Sequence, residues 1–119
     1  MAASNSRLRV KRDQGVVQIE FIDRNILDEA NIQNIAEEIA MIVDGEKAPK
    51  LLISFKDVDH LSSAALGALI TINRKVQTRS GQLRLADIDP QIYQVFVITK
   101  LNKLFEIHET SDKARASFS

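Results

Sequence analysis

The chain has 119 residues, with 16 Lys and Arg against 16 Asp and Glu, so its formal net charge at pH 7 is zero. This length predicts one domain, and a hydrophobic content of 45% is ordinary for a globular protein. The absence of cysteine excludes a disulfide scaffold, a thiolate zinc site and a cysteine nucleophile. With only two histidines, the composition also argues against a protein-built catalytic metal site.

The charge balance and the length of the apolar runs exclude further classes. Nucleic-acid binders normally carry a basic excess, which this chain lacks. No apolar run approaches the roughly 20 residues of a membrane helix. The basic residues near the start have no apolar stretch behind them, as a secretory signal would. We therefore expect a cytoplasmic domain that uses no cofactor and binds neither nucleic acid nor membrane.

The first half of the chain predicts a hairpin and then an amphipathic helix. Residues 1–7 are small and polar and predict a flexible N-terminus before a domain that spans residues 8–119. Two short β-type runs follow from Leu8 and flank Gln14-Gly15, which is a hairpin signal. Apolar residues then recur at a 3.6-residue period between Asp28, a candidate N-cap, and Gly45, which ends the helix.

The second half alternates strands and helices. Residues 51–55 form a short apolar run of the kind that a strand buried on both faces has. The remaining elements are predicted as a helix at 62–79, a strand at 82–86, a helix at 91–98 with Pro90 at its first position, a strand at 104–107 and a short helix from 111 to about 118. The order β-β-α-β-α-β-α-β-α predicts an α/β fold with parallel crossovers.

The segment from Leu51 to Ile70 is the most informative. A central strand leads through a loop into a helix that starts with Ser62 and Ser63, at the strand edge where functional sites of α/β sheets usually lie. Serines at this position can cap the helix, and the N-terminal N–H groups would also accept a phosphate. Small residues follow, including Gly67, so that the sheet or a partner protein can approach the helix closely. From these physical points alone, simple capping remains the more common role.

The same segment resembles the signature of STAS domains. Ser62-Ser-Ala-Ala-Leu-Gly-Ala-Leu-Ile70 is similar to the Asp-Ser-Ser-Gly-Leu-Gly pattern of bacterial anti-sigma factor antagonists, which is followed by apolar helix residues. Further likeness lies in Ile26-Leu27-Asp28 and in residues 81–85 and 91–105. The resemblance covers about residues 8–118 and implies a single STAS-like α/β domain. Its mixed sheet would carry helices packed mainly on one face.

The resemblance implies a non-enzymatic partner switch. An unphosphorylated antagonist binds an anti-sigma factor, often a serine kinase; phosphorylation releases it and a phosphatase resets it. The match places Ser63 at the phosphorylated position, with Ser62 as the second choice if the loop is shifted by one residue. Ser62 stands where the family usually has Asp, and Ala65 where it has Gly. Asp57 or Asp59 could supply a nearby carboxylate.

The predicted partner surface surrounds this serine pair. It comprises Asp23, Arg24, Asn25, Asp28, Asp59, His60, Ser62, Ser63, Ala64, Ala65 and Gly67. Asp28 could act as a cap, an interface residue or both. The implied partners are an anti-sigma factor or serine protein kinase, with a phosphatase or other STAS proteins as further candidates, and the chain would be a monomer or weak dimer. The alternatives are a STAS scaffold that is not phosphorylated and a small-ligand sensor.

The remaining residues of chemical interest predict structural roles, and no catalytic or metal-binding residue stands out. His60 is interpreted as a solvated loop residue, and His108 as a surface residue with no partner in view. Tyr93 is expected at the surface of its helix. The three phenylalanines expected in the core are Phe96, Phe105 and Phe118.

Overall fold

A five-stranded mixed sheet organises the chain. The structure is a computed structural model in which residues 8–22, 25–26 and 29–118 are described. The strands lie in the order β1-β2-β4-β6-β7, and only the β1–β2 pair is antiparallel. Their bounds are β1 Leu8–Asp13, β2 Val16–Phe21, β4 Lys50–Ser54, β6 Gln82–Ala86 and β7 Glu106–His108. Two further strands of two residues each, β3 (Asn25–Ile26) and β5 (His60–Leu61), form a separate parallel pair.

In the described part of the chain, three α-helices and a 3-10 turn connect the strands, and a fourth helix follows the last strand. They are α1 Glu29–Asp44, α2 Ser63–Thr78, α3 Pro90–Ile98, α4 Ser111–Ala116 and the 3-10 turn Leu101–Lys103. The predicted element order is therefore confirmed, with β3 and β5 as additions. Asp89 caps α3, because its side chain accepts a hydrogen bond from the Gln91 backbone N–H at 2.8 Å.

The predicted hairpin is closed by a two-residue turn at Gln14-Gly15. Gln14 and Gly15 both have positive φ, at 52° and 81°. Two consecutive left-handed residues are typical of the type I′ turn, whose twist matches that of the flanking strands. The turn thus sets the register in which Asp13 lies opposite Val16.

Residues 51–54 of the central strand β4 are buried, as predicted, because helices cover both faces of the sheet. Leu51 and Ile53 point into a large core that contains α1, α2 and α3. Leu52 points to the opposite face, where it packs with Ala114 of α4. Three helices on one face and one short helix on the other confirm the predicted arrangement.

A line of aromatic rings crosses the large core. Phe55 lies 5.3 Å from Phe21 and 6.5 Å from Phe96, and Phe96 lies 6.0 Å from Phe105, measured between ring centroids. The last two contacts are edge-to-face, an arrangement that aromatic pairs prefer. Phe96 and Phe105 are buried as predicted, and Phe118 is half-buried against the smaller core.

The prediction for the end of the chain needs two corrections. The last strand is Glu106–His108 rather than 104–107, because Leu104 and Phe105 close the 3-10 turn through hydrogen bonds to Leu101. His108 is not a surface residue without a partner. It lies in β7, is half-buried, and its Nε2 is 2.8 Å from Oε2 of Glu106.

Candidate partner-binding site

Ser62 and Ser63 occupy different positions at the start of α2. Ser62 is the N-cap: its extended backbone precedes the helix, and its Oγ accepts a hydrogen bond from the Ala65 N–H at 3.2 Å. Its carbonyl accepts the first intrahelical bond, from Leu66. Ser63 is the first helical residue, and its side chain is exposed. The Ser62 hydroxyl therefore accepts a hydrogen bond from one of the first N–H groups of the helix, while the Ser63 side chain faces solvent.

Small residues continue the exposed face of α2. Ala64 and Gly67 are exposed beside Ser63, and a Cβ added to Gly67 would meet no atom within 4 Å. Ala65, which the sequence placed on the partner surface, is 5% exposed and packs in the large core. Its side chain therefore offers almost no area to a partner. The accessible surface of the first two turns consists of one hydroxyl and very short side chains.

The β3–β5 pair brings a second segment to this helix start. Asn25 pairs with His60, and Ile26 pairs with Leu61, directly before Ser62. Asn25, which the sequence placed on the partner surface, lies in a short strand that pairs with the β4–α2 connection. His60 is exposed and Asp59 is half-buried. The predicted contact residues Asp23, Arg24 and Asp28 lie outside the described residues.

An acidic cleft of about 590 Å³ opens at the carboxyl ends of β2, β4 and β6. Asp57 lies in a turn after β4 that is closed by a hydrogen bond from the Val58 N–H to the Phe55 carbonyl at 3.0 Å. Asp59 follows it on the segment that leads to α2. Lys56 is the one cationic residue among those that line the cleft. The lining carboxylates are Glu20, Asp57, Asp59, Asp87, Asp89 and Asp112.

A buried polar network ties the walls of this cleft together. Ser54, which is fully buried, donates from Oγ to Oδ2 of Asp87 at 2.7 Å and accepts from the Lys56 N–H at 3.3 Å. Ser111 donates to the same carboxylate through its N–H, at 3.1 Å, and through its hydroxyl. Asp87 thus connects β4, β6 and α4.

Sequence reasoning missed this cleft, although a signal for it existed. Asp87 and Asp89 come within three residues of the end of β6, and Asp57 and Asp59 within five residues of the end of β4. Because β4 and β6 are parallel and adjacent, the residues after their carboxyl ends meet at one edge. Comparing the residues after each predicted strand would have revealed this acidic edge.

The described part of the chain also lacks the features of a metal centre and of a membrane-spanning helix. Among residues 8–22, 25–26 and 29–118, no group of three or more histidine or carboxylate side chains has a geometry that could hold a metal ion. Over the same residues, no helix combines the length and apolar character that crossing a membrane requires. The site thus combines a small exposed helix start with a negatively charged cleft, and Asp59, which lines the cleft, lies three residues before Ser62. Such a surface suits recognition of a protein.

Comparison with curated proteins identifies similar sequences. The chain is 24% identical over 111 residues to the anti-sigma-B factor antagonist of Bacillus subtilis, covering 91% of this chain and 95% of that protein. It is 25% identical over 96 residues to BtrV of Bordetella bronchiseptica, covering 80% and 81% of the two chains.

The fold is also shared with solved structures and with a family model. An anti-sigma-factor antagonist (STAS) domain protein from Planctomyces limnophilus superposes with a TM-score of 0.82 at 21% identity, covering 90% of this chain and 93% of that one. SpoIIAA has been solved in unphosphorylated and phosphorylated forms, and these superpose with TM-scores of 0.67 and 0.68 over 92% of this chain. The model of the STAS domain matches residues 7–114. This chain therefore belongs to the STAS domain family.

Proposed function

We propose that this protein is an anti-sigma factor antagonist that binds an anti-sigma factor while unphosphorylated and is released when Ser63 is phosphorylated. The observation that carries this proposal is an exposed serine at the first position of α2, on a STAS fold, beside exposed Ala64 and Gly67. The antagonist class of the B. subtilis relative supports it.

The geometry of the helix start favours Ser63 over Ser62 as the phosphate acceptor. The Ser62 oxygen already accepts a hydrogen bond from the Ala65 N–H, so a phosphate on this residue would disturb the cap of α2. The Ser63 side chain is exposed and can enter a kinase active site without disturbing the cap. A phosphate there lies near the free N–H groups and the positive end of the helix dipole, which tolerate negative charge.

The switch acts through binding and leaves the fold in place. A phosphate adds about −1.5 to −2 charges at pH 7. Asp57 and Asp59 already make the neighbouring cleft negative, so an acidic or apolar partner surface that accepts the neutral serine would meet concentrated negative charge. The phosphate would also fill the space that the small side chains leave open. Both effects raise the free energy of the complex while the core stays untouched.

The same proposal includes the cellular setting and the partners. The direct partner is an anti-sigma factor that is also a serine protein kinase, and a phosphatase restores the binding form. The domain, residues 8–119, acts in the cytoplasm and catalyses no reaction of its own. His60 and Asn25 extend the contact surface, because the β3–β5 pair holds their backbones close to Ser62, and Asp59 precedes His60 on the same segment.

The test combines phosphosite mapping with partner capture from the native cells. We expect phosphate on Ser63 that changes with stress, and none in the Ser63→Ala variant. Ser63→Ala should retain the anti-sigma factor, identified by mass spectrometry, and Ser63→Glu should lose it. Gln94→Glu is the matched control, because it adds one negative charge to the exposed face of α3. Phosphate on Ser62 alone, or equal capture by both Ser63 variants, would overturn the proposal.

A further inference from the structure

The main sheet ends in two unlike edges. Among the described strands, β1 has β2 as its only neighbour in the sheet, and β7 has β6. β1 is antiparallel to every other strand of the sheet, including β7. An open edge is a template for pairing with another chain. If copies of the protein were placed side by side, β1 of one could therefore extend the sheet of the next in antiparallel fashion.

The backbone of β7 offers its central residue to such a partner. The Phe55 N–H donates to the Ala86 carbonyl at 2.9 Å, and the Gln82 N–H donates to the Pro49 carbonyl at 2.7 Å. Ala86 and Gln82 therefore direct their backbone groups towards β4. Since these groups alternate along a strand, Leu85 directs its own towards β7. In β7, Leu85 bonds to the two residues on either side of Ile107, its register partner. The N–H and the carbonyl of Ile107 itself therefore point away from β6.

The backbone of β1 alternates in the way that pairing with β7 requires. In a hairpin with a two-residue turn, the pair next to the turn exchanges both backbone bonds, and that pair is Asp13 with Val16. Lys11 and Arg9 then also bond inward to β2. The backbone groups of Val10, between them, point outward. Val10 and Ile107 can therefore form an antiparallel pair with both of its hydrogen bonds.

One of the two side-chain pairs that flank Val10 and Ile107 would join opposite charges, namely Lys11 and Glu106. Val10 and Ile107 both pack on the side of the large core. Because side chains alternate, Arg9 and Lys11 lie on the α4 side of β1, as Glu106 and His108 do on β7. With Val10 opposite Ile107, Lys11 lies opposite Glu106 and Arg9 opposite His108. Pairing β1 with another β1 would instead place basic side chains opposite one another, which is unfavourable.

Apolar surface accompanies both edges on the side of the large core. A groove of about 340 Å³ beside β7 is lined in part by Ile88, Tyr93 and Ile107. A groove of about 360 Å³ beside β1 is lined in part by Met41 and Val10, and Met41 is 74% exposed. Joining the two edges would bring these grooves together and cover both.

We propose that β1 of one copy pairs antiparallel with β7 of a second copy, with Val10 opposite Ile107 and Lys11 opposite Glu106. The occupant of each edge is thus another molecule of this chain. The two surfaces are different, so every bound copy leaves one free edge of each kind and the assembly grows linearly. This inference goes beyond the proposed switch and is independent of Ser63, which lies at the start of α2 and not on either edge.

Cysteine cross-linking tests the pairing directly, because the natural chain has no cysteine. Arg9→Cys and His108→Cys place thiols at a predicted facing pair. Under mild oxidation, a mixture of the two single variants should form a mixed disulfide dimer, and the double variant should form a ladder of oligomers. The control replaces His108→Cys with Lys113→Cys, on exposed α4. The Arg9–His108 rate should exceed the control by about tenfold, because pairing raises the local thiol concentration.

Charge reversal and sedimentation complete the test. Lys11→Glu in the Arg9→Cys chain should lower the cross-linking rate about fivefold, since it faces Glu106 with a like charge. The unmodified protein should sediment faster at higher concentration, and less so at high salt. Cross-linking at the control rate would overturn the proposal. A disulfide dimer formed as fast by Arg9→Cys alone would also overturn it, because β1 would then pair with itself.

Discussion

The Ser54 hydroxyl donates to Oδ2 of Asp87 at 2.7 Å, across the carboxyl ends of two adjacent parallel strands. Ser54 is fully buried, and Asp87 has a positive φ of 60°. The same carboxylate receives two hydrogen bonds from Ser111 at the start of α4. Asp87 thus attaches the one helix on the second face of the sheet and fixes one wall of the acidic cleft.

Removing this hydroxyl should destabilise the protein measurably. We expect Ser54→Ala to lower the free energy of unfolding by about 1–3 kcal/mol, because Asp87 loses a buried donor and the Lys56 N–H loses its acceptor. Urea denaturation monitored by circular dichroism gives this value. Asp112→Asn, a change at an exposed position in the same cleft, should alter the free energy of unfolding by less than about 0.5 kcal/mol. Equal effects of the two changes would contradict the role of the network.

Two glycines should respond to alanine in opposite directions. Gly67 lies in the interior of α2 with open space around it, so Gly67→Ala should stabilise the protein by about 0.5–1 kcal/mol. A Cβ at Gly81 would lie 2.4 Å from the Pro49 carbonyl oxygen, so Gly81→Ala should destabilise the protein. Thermal unfolding separates the two outcomes. If a partner approaches the helix backbone at Gly67, the stabilised variant should also bind that partner more weakly.

The two serines of the helix start should differ in their effect on stability. Ser62→Ala removes the N-cap and should cost about 1 kcal/mol. Ser63→Ala removes an exposed hydroxyl and should change stability by less than about 0.5 kcal/mol. Denaturant unfolding of both variants, with unchanged m-values, gives the comparison. A larger loss of stability for Ser63→Ala than for Ser62→Ala would assign the capping role to Ser63 and weaken the case for Ser63 as the phosphate acceptor.

Arg84 should not be replaceable by lysine. Its guanidinium contacts Glu106 at 2.7 Å, Ser117 at 2.9 Å and Gln82 at 3.0 Å, and it lies over the ring of Phe118 at 5.1 Å. A lysine ammonium cannot reproduce this planar set of donors. We expect Arg84→Lys to cost about 1–2 kcal/mol in urea denaturation, since several partly buried hydrogen bonds are lost. Arg74→Lys, on the exposed side of α2, provides the control and should be neutral.

Local sequence patterns predicted the elements whose structure depends on local physics. The apolar run at 51–55 predicted the buried central strand, and the Ser62-Ser63 pair predicted the start of α2. Gln14-Gly15 predicted the hairpin because Gly15 readily takes the positive φ that such a two-residue turn needs. Local patterns could not indicate which serine is the candidate phosphate acceptor, and this assignment came from the resemblance to STAS domains.

The features that were missed depend on contacts between distant residues. The β3–β5 pair joins two-residue segments, which are too short to show any periodicity. The bond between Ser54 and Asp87 spans 33 positions. The boundary of β7 shifted because Phe105, which is apolar enough for a strand, is used to close the 3-10 turn and fill the core. Ala65 was predicted on the partner surface because small residues follow Ser63, but the packing of α2 against the sheet places its side chain in the large core.

The two-residue pairing of β3 with β5 also sets how the site can move. So few backbone bonds contribute little to holding the segments together, so this pair can open far more often than the whole protein unfolds. Amide hydrogens at His60 and Leu61 should then exchange with solvent faster than those of Leu52 and Ile53. Docking of a partner can therefore rearrange the approach to Ser63 at little energetic cost, while the aromatic core behind it remains closed.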